Sequence, residues 1–153
     1  MEARLDYAKA SPEAFKAMVQ MEGVVRRSGI DPHLLELIKI RASQLNGCAY
    51  CIDMHTKDAR FKGETEQRIY SLDAWRETPF YTEKERAALA WTEAITNIQI
   101  GHAPEAVYEE LSKNFGEEER VNITLAITTI NAWNRIAIGF RLVPGNYEPA
   151  AAR

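Results

Sequence analysis

Apolar residues recur along this chain at helical spacing, in blocks separated by polar, glycine or proline breaks. Ser11-Pro12-Glu13 reads as a helix start: a hydroxyl cap, then proline where its missing N–H costs nothing. Ala14, Phe15, Met18, Val19, Met21 and Val25 carry that helix to about Ser28-Gly29, where glycine can close it. Asp31-Pro32 repeats the start signal. The second helix, about 32–45, is apolar on more than one side, with Leu34, Leu35, Leu37, Ile38, Ile40, Ala42 and Leu45. Such a pattern predicts burial on several faces, and Glu36 stands conspicuously inside it.

Asn46-Gly47 breaks the pattern, and a third helix runs from about Cys48 through His55 and Ala59 to Lys62-Gly63. A short charged helix follows over Glu64 to Ser71, then a loop or irregular turn from Asp73 to Tyr81. Thr82 and Glu85 form a capping-box signature ahead of Ala87, Ala88, Ala90, Trp91, Ala94, Ile95 and Ile98. Another helix is expected from Pro104 to about Lys113. Gly116 opens the last, with Glu117, Glu118 and Glu119 placed against its positive end. From Val121 to Phe140 the single charge is Arg135, but Asn122, Thr124, Thr128, Thr129, Asn131 and Asn134 are too many polar groups for hydrocarbon. This stretch reads as a central helix, buried in the domain or in a subunit interface. No β-alternation, low-complexity segment or convincing repeat interrupts the pattern. The expectation is an all-α, single-domain bundle of six to seven helices over residues 1–143, with a loose tail from 144 to 153.

Composition narrows the field. A chain of 153 residues supports one sizeable core, and 46% hydrophobic with 27% charged residues is globular. A net charge of −3 gives no electrostatic footprint for nucleic acid and no basic face for an anionic membrane. The N-terminal Met1 to Asp6 lacks a basic region followed by an apolar run, so no signal peptide is expected. Two cysteines are not a disulfide scaffold; in a reducing cytosol such a pair is more often catalytic or metal-binding. The expected compartment is cytoplasmic.

Both cysteines fall in one segment, Asn46 to His55, as Cys48-Ala49-Tyr50-Cys51, with His55 four residues on. A Cys-x-x-Cys pair serves as a redox dithiol or as half of a zinc site. With Cys48 at a helix start, Cys51 and His55 share its face, and Cys51 and His55 are i and i+4 neighbours. The unpaired N–H groups and dipole of the first turn stabilise a thiolate, lowering a thiol pKa from about 8.5 to roughly 3.5–7.5 in such settings. In an antiparallel hairpin about Asn46-Gly47, Glu36 lies ~15 Å before the turn at ~1.5 Å per residue, level with His55 after it. Glu36 would then orient His55, and His55 would draw the proton from Cys51. Other readings stay open. Cys48, Cys51, His55 and Glu36 could supply four zinc ligands, though no second Cys or His pair supports them. The cysteines could be small core residues, His55 a satisfied core histidine, and Glu36 a solvated carboxylate paired with Lys39 or Arg41. Tyr50 reads as a pocket wall. His33 and His102 read as surface residues, and Trp75, Trp91 and Trp133 as packing, with Trp133 able to line a pocket.

Glu36, eleven residues, Cys48-x-x-Cys51, three residues, His55, together with Asn131-Ala132-Trp133-Asn134-Arg135, resembles the AhpD-like alkylhydroperoxidases of the carboxymuconolactone decarboxylase superfamily. The likeness spans about residues 20–140. It implies an AhpD-like helical fold, a homo-oligomer (trimers and hexamers are typical) and a disulfide-cycling peroxidase. By position, Cys51 would be peroxidatic and Cys48 resolving, with Glu36 and His55 as proton relay. Family members often carry a second histidine between the cysteines; here the position is Tyr50, a phenol with a pKa of about 10. The implied activity is reduction of organic hydroperoxides or hydrogen peroxide, with an external dithiol or protein reductant restoring the thiols. No metal, flavin or nicotinamide cofactor is implied, and no Gly-rich nucleotide loop is present. The alternatives are a disulfide-exchange adaptor for another peroxidase, a zinc module, and the superfamily's lactone decarboxylation, which needs no dithiol.

Overall fold

Every residue from Leu34 to Ser43 is buried, including Glu36, Lys39 and Arg41. This helix, α3 (Pro32–Asn46), is the axis of a computed structural model that describes residues 1–150. Its start follows from Asp31, whose Oδ1 accepts from the His33 and Leu34 amides at 2.9 and 3.0 Å, with Pro32 at the first position. Its end follows from Gly47, which takes a left-handed φ of 66°.

Before it lie α1 (Tyr7–Ala10) and α2 (Pro12–Arg26). After it come α4 (Ala49–Phe61), α5 (Glu66–Tyr70), a 3₁₀ turn (Leu72–Glu77), α6 (Glu83–Thr96), α7 (Glu105–Asn114) and α8 (Glu117–Gly139). No strand occurs among the described residues, so the fold is all-α. The seven predicted helices are present, and α1 is an addition. It is a single turn with an Asp6 cap, too short to leave a periodic signal. The irregular stretch after Ser71 is the 3₁₀ turn. Ser11 makes no side-chain cap bond, so Pro12 alone marks the start of α2. Thr82 and Glu85 do form the reciprocal box, at 3.2 and 2.8 Å.

Around α3 pack α4, α6 and α8. One cluster joins Leu34 and Ile38 to Ala88, Trp91, Leu111 and Ile127. A second joins Leu37 and Ile40 to Leu72, Trp75 and Leu89. A third holds Ala42 with Cys48, Cys51, Ile130 and Ala137. The charges on α3 are paired in different directions. Lys39 reaches Glu22 at 2.5 Å, and Arg41 binds Glu93 at 2.9 Å as well as Asp73. No buried side-chain nitrogen or oxygen among the described residues lacks a partner. No helix of the described residues is long and apolar enough to cross a membrane. After α8 the chain returns along α4. The Gly145 amide donates to Asp53 at 3.0 Å, and the Tyr147 hydroxyl to Asp58 at 2.7 Å. The segment read from sequence as a loose tail is therefore tied down at these two points, and residues 151–153 lie outside the described residues.

Candidate active site

The corner between α3 and α4 is built by backbone and amide bonds. The Gly47 amide donates to the Gln44 carbonyl at 3.1 Å and the Cys48 amide to the Ser43 carbonyl at 2.9 Å. Asn46 Nδ2 donates to Asn131 Oδ1 and Asn134 Oδ1 on α8 at 2.9 and 2.8 Å. Asn134 in turn donates to Ser43 Oγ at 3.0 Å, and Asn131 to Thr96 at 3.0 Å. The amides that made α8 too polar for a membrane thus pin the cysteine-bearing corner.

Cys48 is the N-cap of α4, and its sulfur accepts from the Cys51 amide at 3.4 Å. The two cysteines are joined as a disulfide, with Cα atoms 5.4 Å apart. Cys48 is 1% exposed and Cys51 2%. One turn further along α4, His55 Nδ1 lies 2.9 Å from Glu36 Oε2 across the hairpin. Glu36 Oε1 accepts from Lys62 Nζ at 2.5 Å. Burial alone would raise the Glu36 carboxyl, but the hydrogen bond and charge of His55, with Lys62 and Lys39 nearby, bring it down to about 2. An ionised carboxylate accepts only, so Nδ1 carries the proton and donates, which leaves Nε2 of a neutral ring as acceptor.

Cys51 and His55 open onto a cleft of 360 Å³. Its walls come from α2 (Phe15, Val19, Glu22 and Arg26), from α8 (Trp133, Ile136, Ala137), from Leu142 beyond it and from Tyr7 of α1, besides Tyr50 and Met54 of α4. Tyr50 and Trp133 are wall residues, as read from sequence. His33 and His102 are exposed. Glu36 is buried and faces His55 and Lys62; Lys39 and Arg41 pair elsewhere. The acidic and imidazole groups that converge, within 4.8 Å of one another, are Glu36, His55 and Asp58, without either cysteine. Sequence reasoning missed Asp58 and Lys62, although their i+3 and i+7 spacing from His55 continues its face of α4. It also missed Tyr7, Glu22 and Leu142, which carry no local signal.

The sequence profile of the carboxymuconolactone decarboxylase family matches residues 12–94, just over half of the chain, a span that includes Glu36, Cys48, Cys51 and His55. The chain belongs to that family. The uncharacterised protein YdfG of Bacillus subtilis is 49% identical over 138 residues, covering 90% of this chain and 94% of YdfG. The crystal structure of ATU0492 from Agrobacterium tumefaciens, a protein of unknown function provisionally assigned to antioxidant defence as AhpD, is 49% identical. It superposes with a TM-score of 0.90 over 98% of this chain and 100% of that one. The debrominase Bmp8 shares the fold at 22% identity, with a TM-score of 0.80 over 88% of this chain and 73% of its own. The family member described here therefore has the AhpD-like fold.

Proposed function

We propose that the protein is a dithiol peroxidase acting on organic hydroperoxides or hydrogen peroxide. The observation that carries this reading is the Glu36–His55 hydrogen bond, placed one helical turn from a cysteine that opens onto a cleft. In the reduced protein, His55 Nε2 takes the Cys51 proton, and Glu36 stabilises the imidazolium. The Cys51 thiolate attacks the outer peroxide oxygen, and the O–O bond breaks. Cys51 becomes a sulfenic acid, and the leaving alkoxide takes the proton from His55. The Cys48 thiol then displaces water from the sulfenic acid to give the disulfide. An external dithiol or a protein reductant returns both thiols.

The test is the free-thiol count and intact mass of the reduced, metal-free protein before and after one equivalent of organic hydroperoxide. The expected result is rapid loss of two thiols with a mass lower by two hydrogens. A Cys48→Ser variant should stop at the sulfenic acid on Cys51; if trapping it requires Cys48, the two roles are reversed. Thiols that ignore peroxide yet exchange quickly with a small disulfide would favour the adaptor reading.

A further inference from the structure

A second cavity, of 260 Å³, adjoins the cleft. Tyr7, Phe15 and Ile136 line both, so these three side chains are a partition between two chambers. The chambers differ in chemistry. The first presents Glu22, Arg26, Cys51 and His55. The second is walled by Leu5, Ala10, Ala14, Met18 and Phe140 besides the partition, and the hydroxyls of Ser11 and Tyr7 are its only polar side-chain groups. Nothing there could recognise a charged or strongly polar ligand.

The partition is two aromatic rings and the Ile136 side chain. Tyr7 stacks on Phe140 at 6.0 Å and meets Phe15 edge-on at 5.8 Å and Trp133 at 6.5 Å. Its helix, α1, is one turn long, and the segment before it is tied to α8 by Arg4, whose amide and guanidinium donate to the Phe140 and Gly139 carbonyls at 2.9 and 3.0 Å. A ligand spanning both chambers would have to displace the Tyr7 ring.

We propose that the second cavity is the subsite for the hydrocarbon arm of a long-chain alkyl hydroperoxide whose peroxide group sits at Cys51. The proposal rests on the peroxidase reading. Adjacency across the shared walls, and the absence of polar side chains beyond them apart from the Ser11 hydroxyl, select an unbranched alkyl chain over a polar extension. Each buried methylene is worth about fourfold in affinity, so a blocked subsite has a measurable cost.

The test compares 1-hydroperoxydecane with tert-butyl hydroperoxide, and measures 1-decanol binding to the disulfide form by calorimetry. Met18→Trp fills the second cavity from α2. The ratio of kcat/KM for the long over the short peroxide should fall at least about tenfold, and 1-decanol affinity should fall with it. If Met18→Trp does not fold, Ala14→Leu, at an exposed position on the same wall, should give a smaller fall in the same direction. An unmoved ratio with unmoved decanol affinity in a folded variant overturns the subsite. So does self-association of the wild type that the variant abolishes while decanol binding is unchanged, because a second copy of the chain would then cover the cavity. If neither peroxide oxidises the thiols, yet decanol binds and the variant weakens it, the subsite stands and the peroxidase reading falls.

Discussion

Glu36 and Arg41 lie on one buried helix and face the same physical problem, a charge removed from water. Their solutions differ. Arg41 is held by Glu93 and Asp73, while Glu93 also accepts from the Trp75 indole at 2.8 Å and from Arg76, so that network is closed on itself. Glu36 is held by His55 and Lys62, and His55 also lines the cleft onto which Cys51 opens. A buried ion network becomes a candidate relay when one member has an unused valence facing a cavity. Without that, it is a brace.

The sharpest way to break this distinction is to damage each end separately. Glu93→Ala should strip Arg41 and Trp75 of a shared acceptor and cost about 3 kcal/mol of stability in urea unfolding. The rate of peroxide attack should remain that of the parent at temperatures where the variant is folded. Glu36→Gln should do the reverse. The Cys51 thiol pKa should rise, and alkylation by iodoacetamide near pH 7 should slow by about 100-fold. Equal alkylation profiles across pH in Glu36→Gln, His55→Ala and the parent would remove the relay.

Acid sharpens the comparison further. A carboxyl lowered from 4.5 to about 2 by folding contributes stability that is complete above about pH 5 and is lost as pH falls through 4.5 toward 2. Glu36 should therefore account for about 2 kcal/mol of the stability lost between pH 6 and pH 3. Glu36→Gln should flatten that part of the urea-derived curve. The smallest expected effect is at Lys62, a partly exposed cation. Lys62→Met should raise the Glu36 carboxyl but leave it ionised near pH 7, with alkylation within about threefold of the parent.

The contrast between the two ends of α3 was partly legible in the chain itself. Asp31-Pro32 and the Thr82/Glu85 pair located helix starts, because capping is a local interaction written in adjacent residues. Glu36 and His55 were matched by counting equal rises from Asn46-Gly47, and the hairpin brings them within 2.9 Å. Which base would hold Arg41 was not legible, since Glu93 is far off in sequence and exposed Glu residues are common. Nor were the cleft walls. Tyr7, Phe15 and Leu142 meet only after the two ends of the chain converge on α8, and no local pattern encodes that meeting. The tail illustrates the same limit, for it is anchored through the Gly145 amide to Asp53 and the Tyr147 hydroxyl to Asp58, partners far off in sequence.

Two of the three partition residues, Tyr7 and Phe15, sit on α1 and α2, whereas the cysteines, His55 and Glu36 belong to the α3–α4 hairpin. Selection can therefore rework what enters the chamber without disturbing the groups that would react there. The rings on α1 and α2 can be exchanged while the hairpin behind them keeps its own residues. For a protein engineer the same division marks where a library should be built, on the wall of Tyr7, Ala14, Phe15 and Met18, leaving the hairpin as a constant frame.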